Sequence, residues 1–285
     1  MEYDRTGIVL NMGIEFTPYV PVKRYLMEIA YDGGSYSGWQ IQPHCLAVQQ
    51  VIQEHLTKMY DKQPIHLIGS SRTDAGVHAQ NFAATFLAPE QPAIPMERVF
   101  KALNRRLPPD IKIHTIREVP LEFHARYDTC GKAYTYVLNL GENDSPFVGR
   151  YSWKPYRKQS VELIKAATER LVGTHDYSSF VVERREIDDA VRTIYRIDVE
   201  EIGDFCCITF VGNGFLYKMI RCLMGMIEAV GAGVYSPDAV TRILEARDRT
   251  QAPETAPANG LFLMKVFYNE TDRENFRLPG LPFLQ

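Results

Sequence analysis

Ser70-Ser71-Arg72-Thr73-Asp74-Ala75-Gly76-Val77-His78-Ala79 is a polar stretch set between two apolar ones. Ile65 to Ile68 reads as a strand entering it, and Phe82 to Leu87 as a strand leaving it. Loops held by a rigid scaffold often carry chemistry. Ala75 and Gly76 leave room beside the Asp74 carboxylate, and Gly76 can take backbone angles that other residues avoid. A cation such as Arg72 within about 4–6 Å would hold Asp74 ionised well below neutral pH. An ionised carboxylate in a tight, partly dry pocket acts as a nucleophile or a base. The plainer reading makes Asp74 a turn former and Arg72 its surface partner.

Composition bounds the function classes. A chain of 285 residues can hold one large domain or two smaller ones, and its apolar and charged fractions are ordinary for a globular protein. No run of about 18 apolar residues exists, so no membrane span is expected. Glu2, Asp4, Arg5 and Glu15 spoil a secretory signal, which points to the cytoplasm. The five cysteines are scattered without C-x-x-C spacing, and the seven histidines form no paired-ligand pattern. Neither a disulfide framework nor a metal is expected, and no P-loop or G-x-G-x-x-G suggests a nucleotide cofactor. With a net charge of −3, a nucleic-acid partner needs locally clustered cations.

Residues 1–22 show no firm period and read as an N-terminal extension. Arg24 to Tyr31 alternates as a strand and runs into the glycine-rich Asp32-Gly33-Gly34-Ser35-Tyr36-Ser37-Gly38-Trp39-Gln40, with Trp39 expected on the core. Val48, Val51, Ile52, Leu56 and Met59 predict a helix. A second helix is expected between Pro95 and Pro108, with Met96, Val99, Phe100, Leu103 and Leu107 inward. Arg98, Lys101 and Arg105 share its opposite face, read as three cations without an interspersed acid that could meet phosphate. Lys132-Ala133-Tyr134-Thr135-Tyr136 alternates as a strand with both tyrosines on one face. Ser160 should cap a helix ended by Gly173, and Val182–Asp189, with Arg184 and Arg185, reads as an exposed loop. Val191–Val199 and Phe205–Val211 read as a hairpin across Gly203-Asp204. From Phe215 a methionine-rich apolar stripe predicts a core helix running to Gly231, with Lys218 and Arg221 off the stripe near its start. Ser236-Pro237 opens what reads as the last helix, and Leu261 onward reads as a terminal strand.

These stretches carry a resemblance. Arg72-Thr73-Asp74-Ala75-Gly76-Val77-His78-Ala79 resembles the signature of the TruA family of tRNA pseudouridine synthases. So do the Tyr31–Gln40 loop, Leu103-Asn104…Asp110-Ile111, Phe123-His124-Ala125-Arg126, Gly173…Phe180, Gly212-Asn213-Gly214-Phe215-Leu216…Met219-x-Arg221-x-x-x-Gly225 and Thr255-Ala256-Pro257-Ala258-Asn259-Gly260-Leu261. The likeness runs from about Arg24 to Tyr268, with motifs in the family's order. Two departures stand out: Ser70-Ser71 where bacterial members often have Ala-Gly, and Lys218 where a histidine is common.

The resemblance implies an α+β fold of two α/β halves with joined antiparallel sheets, outer helices and an RNA cleft between them. The expected limits are 23–125 and 126–270, with a 271–285 tail outside the likeness. It implies that Asp74 is the catalytic carboxylate, that Arg221 and Arg72 hold it ionised, and that Tyr134 stacks on a flipped uracil and can take the C5 proton. Leu261 is implied to line the uridine pocket. Tyr134, Leu261, Arg98, Lys101, Arg105 and Lys218 form the expected substrate-binding set, and His124 is read as structural. The implied partners are tRNA, modified at uridines 38 to 40 of the anticodon arm, and a second copy in a homodimer, with no cofactor. A non-catalytic RNA-binding protein is the competing reading. A metal-dependent nuclease would need two or more converging carboxylates, and the loop offers only Asp74.

Overall fold

The computed structural model describes residues 21–142, 145–182 and 189–284. The expected extension through residue 20, and Arg184 and Arg185 of the polar loop, lie outside them. The chain divides into two compact units at Thr129/Cys130. Both units are mixed α and β, and every strand pairing within each is antiparallel.

In the first unit, strand β1 (Pro21–Tyr31) lies between β3 (His78–Pro89) and β4 (Ile111–Val119), and the short β2 (Leu67–Gly69) adds to the other side of β3. Tyr25, Met27, Ile29 and Tyr31 are all buried, as the alternation implies, but Arg24 and Leu26 between them are buried too, so the first part of the strand is covered on both faces. Helix α1 (Val48–Met59) buries Val48, Ile52 and Leu56, one residue per turn along a single stripe. Its glutamines do more than face water. Gln53 accepts from the Leu67 N–H at 3.1 Å and Gln49 donates to the Leu67 carbonyl at 2.9 Å, so α1 grips β2 just before the polar loop. Helix α2 (Met96–Arg106) buries Val99 and Leu103 and packs on α1 and β4.

Three sequence expectations change here. Strand β3 begins at His78, so the polar loop is shorter than the motif. Strand β4 was not foreseen, because its alternation fades after Ile111 and Ile113 into exposed polar residues. The cation row on α2 does have an acid beside it: Glu97, one turn before Lys101, meets its ammonium at 2.5 Å.

The second unit orders its strands β9 (Leu261–Phe267), β5 (Gly131–Asn139), β8 (Phe205–Gly212), β7 (Val191–Ile202) and β6 (Gly173–Asp176). A short helix α3 (Pro146–Gly149) follows β5. Helix α4 (Val161–Glu169) starts where Ser160 accepts from the Leu163 N–H at 3.2 Å. It ends at Glu169, earlier than expected, because Gly173 already belongs to β6. Helix α5 (Met219–Gly231) is buried nearly all round, which its mean composition demands of a central helix. It begins at Met219, not Phe215, since Lys218 sits in the left-handed region at φ 56° and cannot extend the helix backwards. Helix α6 (Pro237–Ala246) has Pro237 at its first position, while the Ser236 side chain makes no cap bond.

It is not the last helix. Helix α7 (Glu270–Asn275) opens the expected tail, and the chain beyond it is packed. Leu278 completes a core with Ala133, Val137, Cys207, Val211, Phe262, Met264 and Phe267, and Phe276, Leu281 and Phe283 pack against it. Burying such side chains stabilises by roughly 1.5–3 kcal/mol each when complete. Arg196 donates to the carbonyls of Arg273 and Phe276, and Arg273 to that of Cys130, so polar bonds fix the same segment. Burial pushes the Cys206 and Cys207 thiols up to about 12, and both are packing residues. No helix among the described residues is long and apolar enough to cross a membrane.

Candidate active site

In the first unit the loop Ser70–Val77 is held on several sides by the chain that follows β1. The Tyr31 hydroxyl and Thr73 Oγ1 share a buried hydrogen bond of 2.8 Å. The Thr73 carbonyl accepts from the Trp39 N–H at 3.2 Å, and the Gly76 N–H donates to the Tyr36 carbonyl at 3.4 Å. Gly38, at φ 87°, lies so close that a Cβ there would fall 2.3 Å from the Thr73 oxygen; only glycine fits both the angle and the space. Trp39 is buried as expected, stacked on Phe82 with ring centroids 4.0 Å apart.

At the loop's far end, His78 Nδ1 accepts from the Gly33 N–H at 3.1 Å, with the Asp32 carboxylate at the same distance. Tyr36 donates to Asp110 at 2.7 Å, and burial together with that carboxylate pushes its phenol well up. Asp74 itself turns the chain, its carbonyl accepting from the Val77 N–H at 3.1 Å. Its side chain is half-buried and that of Arg72 is exposed. The residues flanking Asp74 are thus fixed through backbone and side chain alike. Arg98, Lys101 and Arg105 are exposed on α2 of the same unit.

In the second unit, the loop entering β9 gathers several expected residues. Arg221 Nε donates to the Ala256 carbonyl at 2.8 Å, and the Ala256 N–H returns to the Arg221 carbonyl at 3.0 Å. Helix α5 approaches this loop so closely that a Cβ on Gly225 would collide with the Glu254 carbonyl, which gives the Arg221-x-x-x-Gly225 spacing its physical reason. Tyr136 donates to the Pro257 carbonyl at 2.8 Å and pairs across the sheet with Leu261. Burial pushes the Tyr136 phenol well up, and Arg221 lies near enough for its charge to oppose that. Tyr134 lies two residues back on the same face of β5, packed edge-on against Phe215 at 5.4 Å. Leu261 is 6% exposed and Leu263 is fully buried. Lys218, half-buried, sets its ammonium 4.8 Å from the Tyr217 ring centroid.

His124 behaves as a structural histidine. Its Nδ1 accepts from the Arg126 and Tyr127 N–H groups, and burial lowers its pKa. The sequence reading missed Tyr31, Gly38 and Tyr136 as supports of the two loops. A strand's terminal tyrosine, a glycine between polar residues and a second tyrosine at i+2 carry no signal that separates support from packing. Among the described residues no three His, Cys, Asp or Glu side chains gather as a metal site.

A family model described as tRNA pseudouridine synthase matches residues 27–128 and 167–269. The protein named tRNA pseudouridine synthase A from Exiguobacterium sp. is 41% identical over 251 residues, covering 88% of this chain and 100% of that one. Proteins of the same name from Chlamydia pneumoniae (43% over 242 residues, 85% and 90%) and Lacticaseibacillus casei (42% over 246 residues, 86% and 99%) are equally similar.

Proposed function

The chain belongs to the tRNA pseudouridine synthase family, and from that premise we propose that it isomerises uridine to pseudouridine at positions 38 to 40 of the tRNA anticodon arm, with Asp74 as its catalytic carboxylate. The observation that carries the assignment is the immobilised Asp74 loop: Tyr31, Trp39 and Gly38 fix Thr73, and the turn to Val77 fixes the other side. A carboxylate on so constrained a backbone is preorganised, and that spares the cost of ordering it in the transition state.

The target base first leaves its stack, at a cost of a few kcal/mol. The C1′–N1 bond then breaks, the uracil rotates, and a C1′–C5 bond forms. The C5 proton leaves and N1 gains one, so substrate and product are isomers and no co-reactant is consumed. Asp74 assists cleavage by attacking the sugar or by taking a sugar proton. Arg221 and Arg72 supply the positive charge that keeps it ionised. Tyr134 stacks on the free uracil and its phenol relays the C5 proton, the oxygen taking it as its own hydroxyl proton passes to water. Leu261 gives the pocket its apolar wall, while Arg98, Lys101, Arg105 and Lys218 meet phosphates. The family likeness also supports a homodimer acting in the cytoplasm, which sedimentation of the purified protein checks for the dimer.

The test is an unmodified tRNA transcript with uridines at 38, 39 and 40, incubated with wild type and with Asp74→Asn, and mapped for pseudouridine by position. Conversion at those sites by wild type alone supports the assignment. Conversion at other positions corrects the target, and wild-type turnover by Asp74→Asn removes the carboxylate role.

A further inference from the structure

Residues Ser145 to Val161 hold Arg150, Lys154, Arg157 and Lys158 and no acid, in a chain whose net charge is −3. Aromatic rings stand among these cations in the open. Phe147 is 85% exposed and Tyr156 fully so. The stretch falls between the two blocks matched by the family model.

It is a built feature of the second unit. Ser145 caps α3 by accepting from the Phe147 N–H. Asn259 donates to both the Gly149 and Ser152 carbonyls, at 2.7 and 2.9 Å. Trp153 exchanges backbone bonds with Val137 and Asn139, and its ring packs edge-on against Tyr136. Asn259 sits in the same loop that holds Arg221 through Ala256 and Tyr136 through Pro257. The strap is therefore fixed to the part of this unit where the expected uridine-pocket residues gather.

Two of the cations sit beside acceptors or acids of the same unit. The Lys154 ammonium donates to the Glu142 carbonyl, and Arg157 lies near Glu228 of α5. Arg150 and Lys158 are exposed, and the Arg150 guanidinium stands 5.9 Å from the Tyr151 ring centroid.

We propose that this strap is an RNA-docking surface, on which Arg150 and Lys158 contact phosphates and Tyr156 stacks on an unpaired base of the same RNA. The proposal rests on the tRNA reading above and adds to it a surface that the family motifs do not include. Cations interleaved with open aromatic rings suit a single-stranded or looped nucleic acid, since rings stack on bases of any sequence while cations follow the backbone.

The experiment measures tRNA binding against salt for wild type, Arg150→Ser/Lys158→Ser, Tyr156→Ala, the conservative Arg150→Lys/Lys158→Arg, and Arg242→Ser on α6. Conversion of the same tRNA is followed in parallel. Loss of two phosphate contacts lowers the slope of log K against log salt by about 1.5–2. Tyr156→Ala weakens binding by about tenfold, and the conservative pair restores the slope. An unchanged slope in the serine variant, or an equal fall with Arg242→Ser, overturns the strap as the site. Dissociation of a dimer by Tyr156→Ala at unchanged tRNA affinity overturns it in favour of a contact between copies. Wild type that neither binds nor converts tRNA refutes the functional reading itself.

Discussion

Replacing Gly38 by alanine tests whether the Asp74 loop is held where it must be. The added Cβ would lie 2.3 Å from the Thr73 oxygen, 3.1 Å from the Asp74 carbonyl carbon and 3.3 Å from the Ala75 nitrogen. Ordinary contact begins near 3.4 Å, so the peptide preceding Asp74 has to retreat by about 1.1 Å, the difference between 3.4 and 2.3. Alanine at φ 87° adds about 1–2 kcal/mol of backbone strain. A displacement of about 1 Å at a reacting group costs about 100-fold in rate. The assay is single-turnover pseudouridine formation at saturating enzyme, with tRNA affinity and thermal melting measured alongside. The expected outcome is a rate down about 100-fold, affinity within about threefold, and a melting point lowered by several degrees. Gly34→Ala, in the same loop but exposed, should react normally. A folded Gly38→Ala protein with a rate within about threefold of wild type would refute the idea that this contact sets the carboxylate's position.

Three further outcomes follow from the geometry. Tyr31→Phe and Thr73→Val each break the buried 2.8 Å bond; the double variant should lose little beyond either single one, and strict additivity in single-turnover rates would show that the two groups act apart. Leu278→Ala should destabilise by about 2–4 kcal/mol in thermal or urea unfolding, because this residue completes a core rather than decorating a tail; a cost below about 0.5 kcal/mol would contradict its packing. His66 and His124 are both lowered from 6.5 mainly by burial, so the unfolded chain takes up their protons first. Their contribution is present above pH 6.5 and is lost as pH falls below it, so His66→Gln should flatten the decline in melting temperature between pH 7 and 5.5. Glu200 and Glu228, raised from 4.5, act in the opposite sense in the other unit, with stability regained as pH falls towards 4.5.

Where one face of an element is apolar and the other polar, the chain announces its structure. Val48–Met59 repeats at helical spacing, and the hairpin across Gly203-Asp204 was readable as two strands, but its faces were not: Val191 and Tyr195 of the alternating row are exposed, Ile194 is buried, and Phe205–Gly212 is buried almost throughout. Strand β4 hides because most of its residues after Ile113 face water, leaving no alternation. The segment after α7 hides for another reason: Phe276, Leu278, Leu281 and Phe283 follow neither period, since they dock individually on a sheet already formed. The polar loop was legible as a motif, whereas its restraints come from partners about 40 residues earlier in the chain, and no local pattern encodes those. Glu97 was overlooked on α2 because a row at i, i+3 and i+7 omits the acid at i−1, although that acid lies one turn before Lys101.

The Cys130 N–H donates to the Phe267 carbonyl, and the Cys130 carbonyl accepts from Arg273. The residue that opens the second unit is thus bonded to the strand and helix that close it. These bonds act as a clasp, tying the start of β5 to residues more than 130 positions further along the chain. The same closure makes trimming at the carboxyl end felt at the junction, because removing α7 takes away the donor to the first residue of the unit.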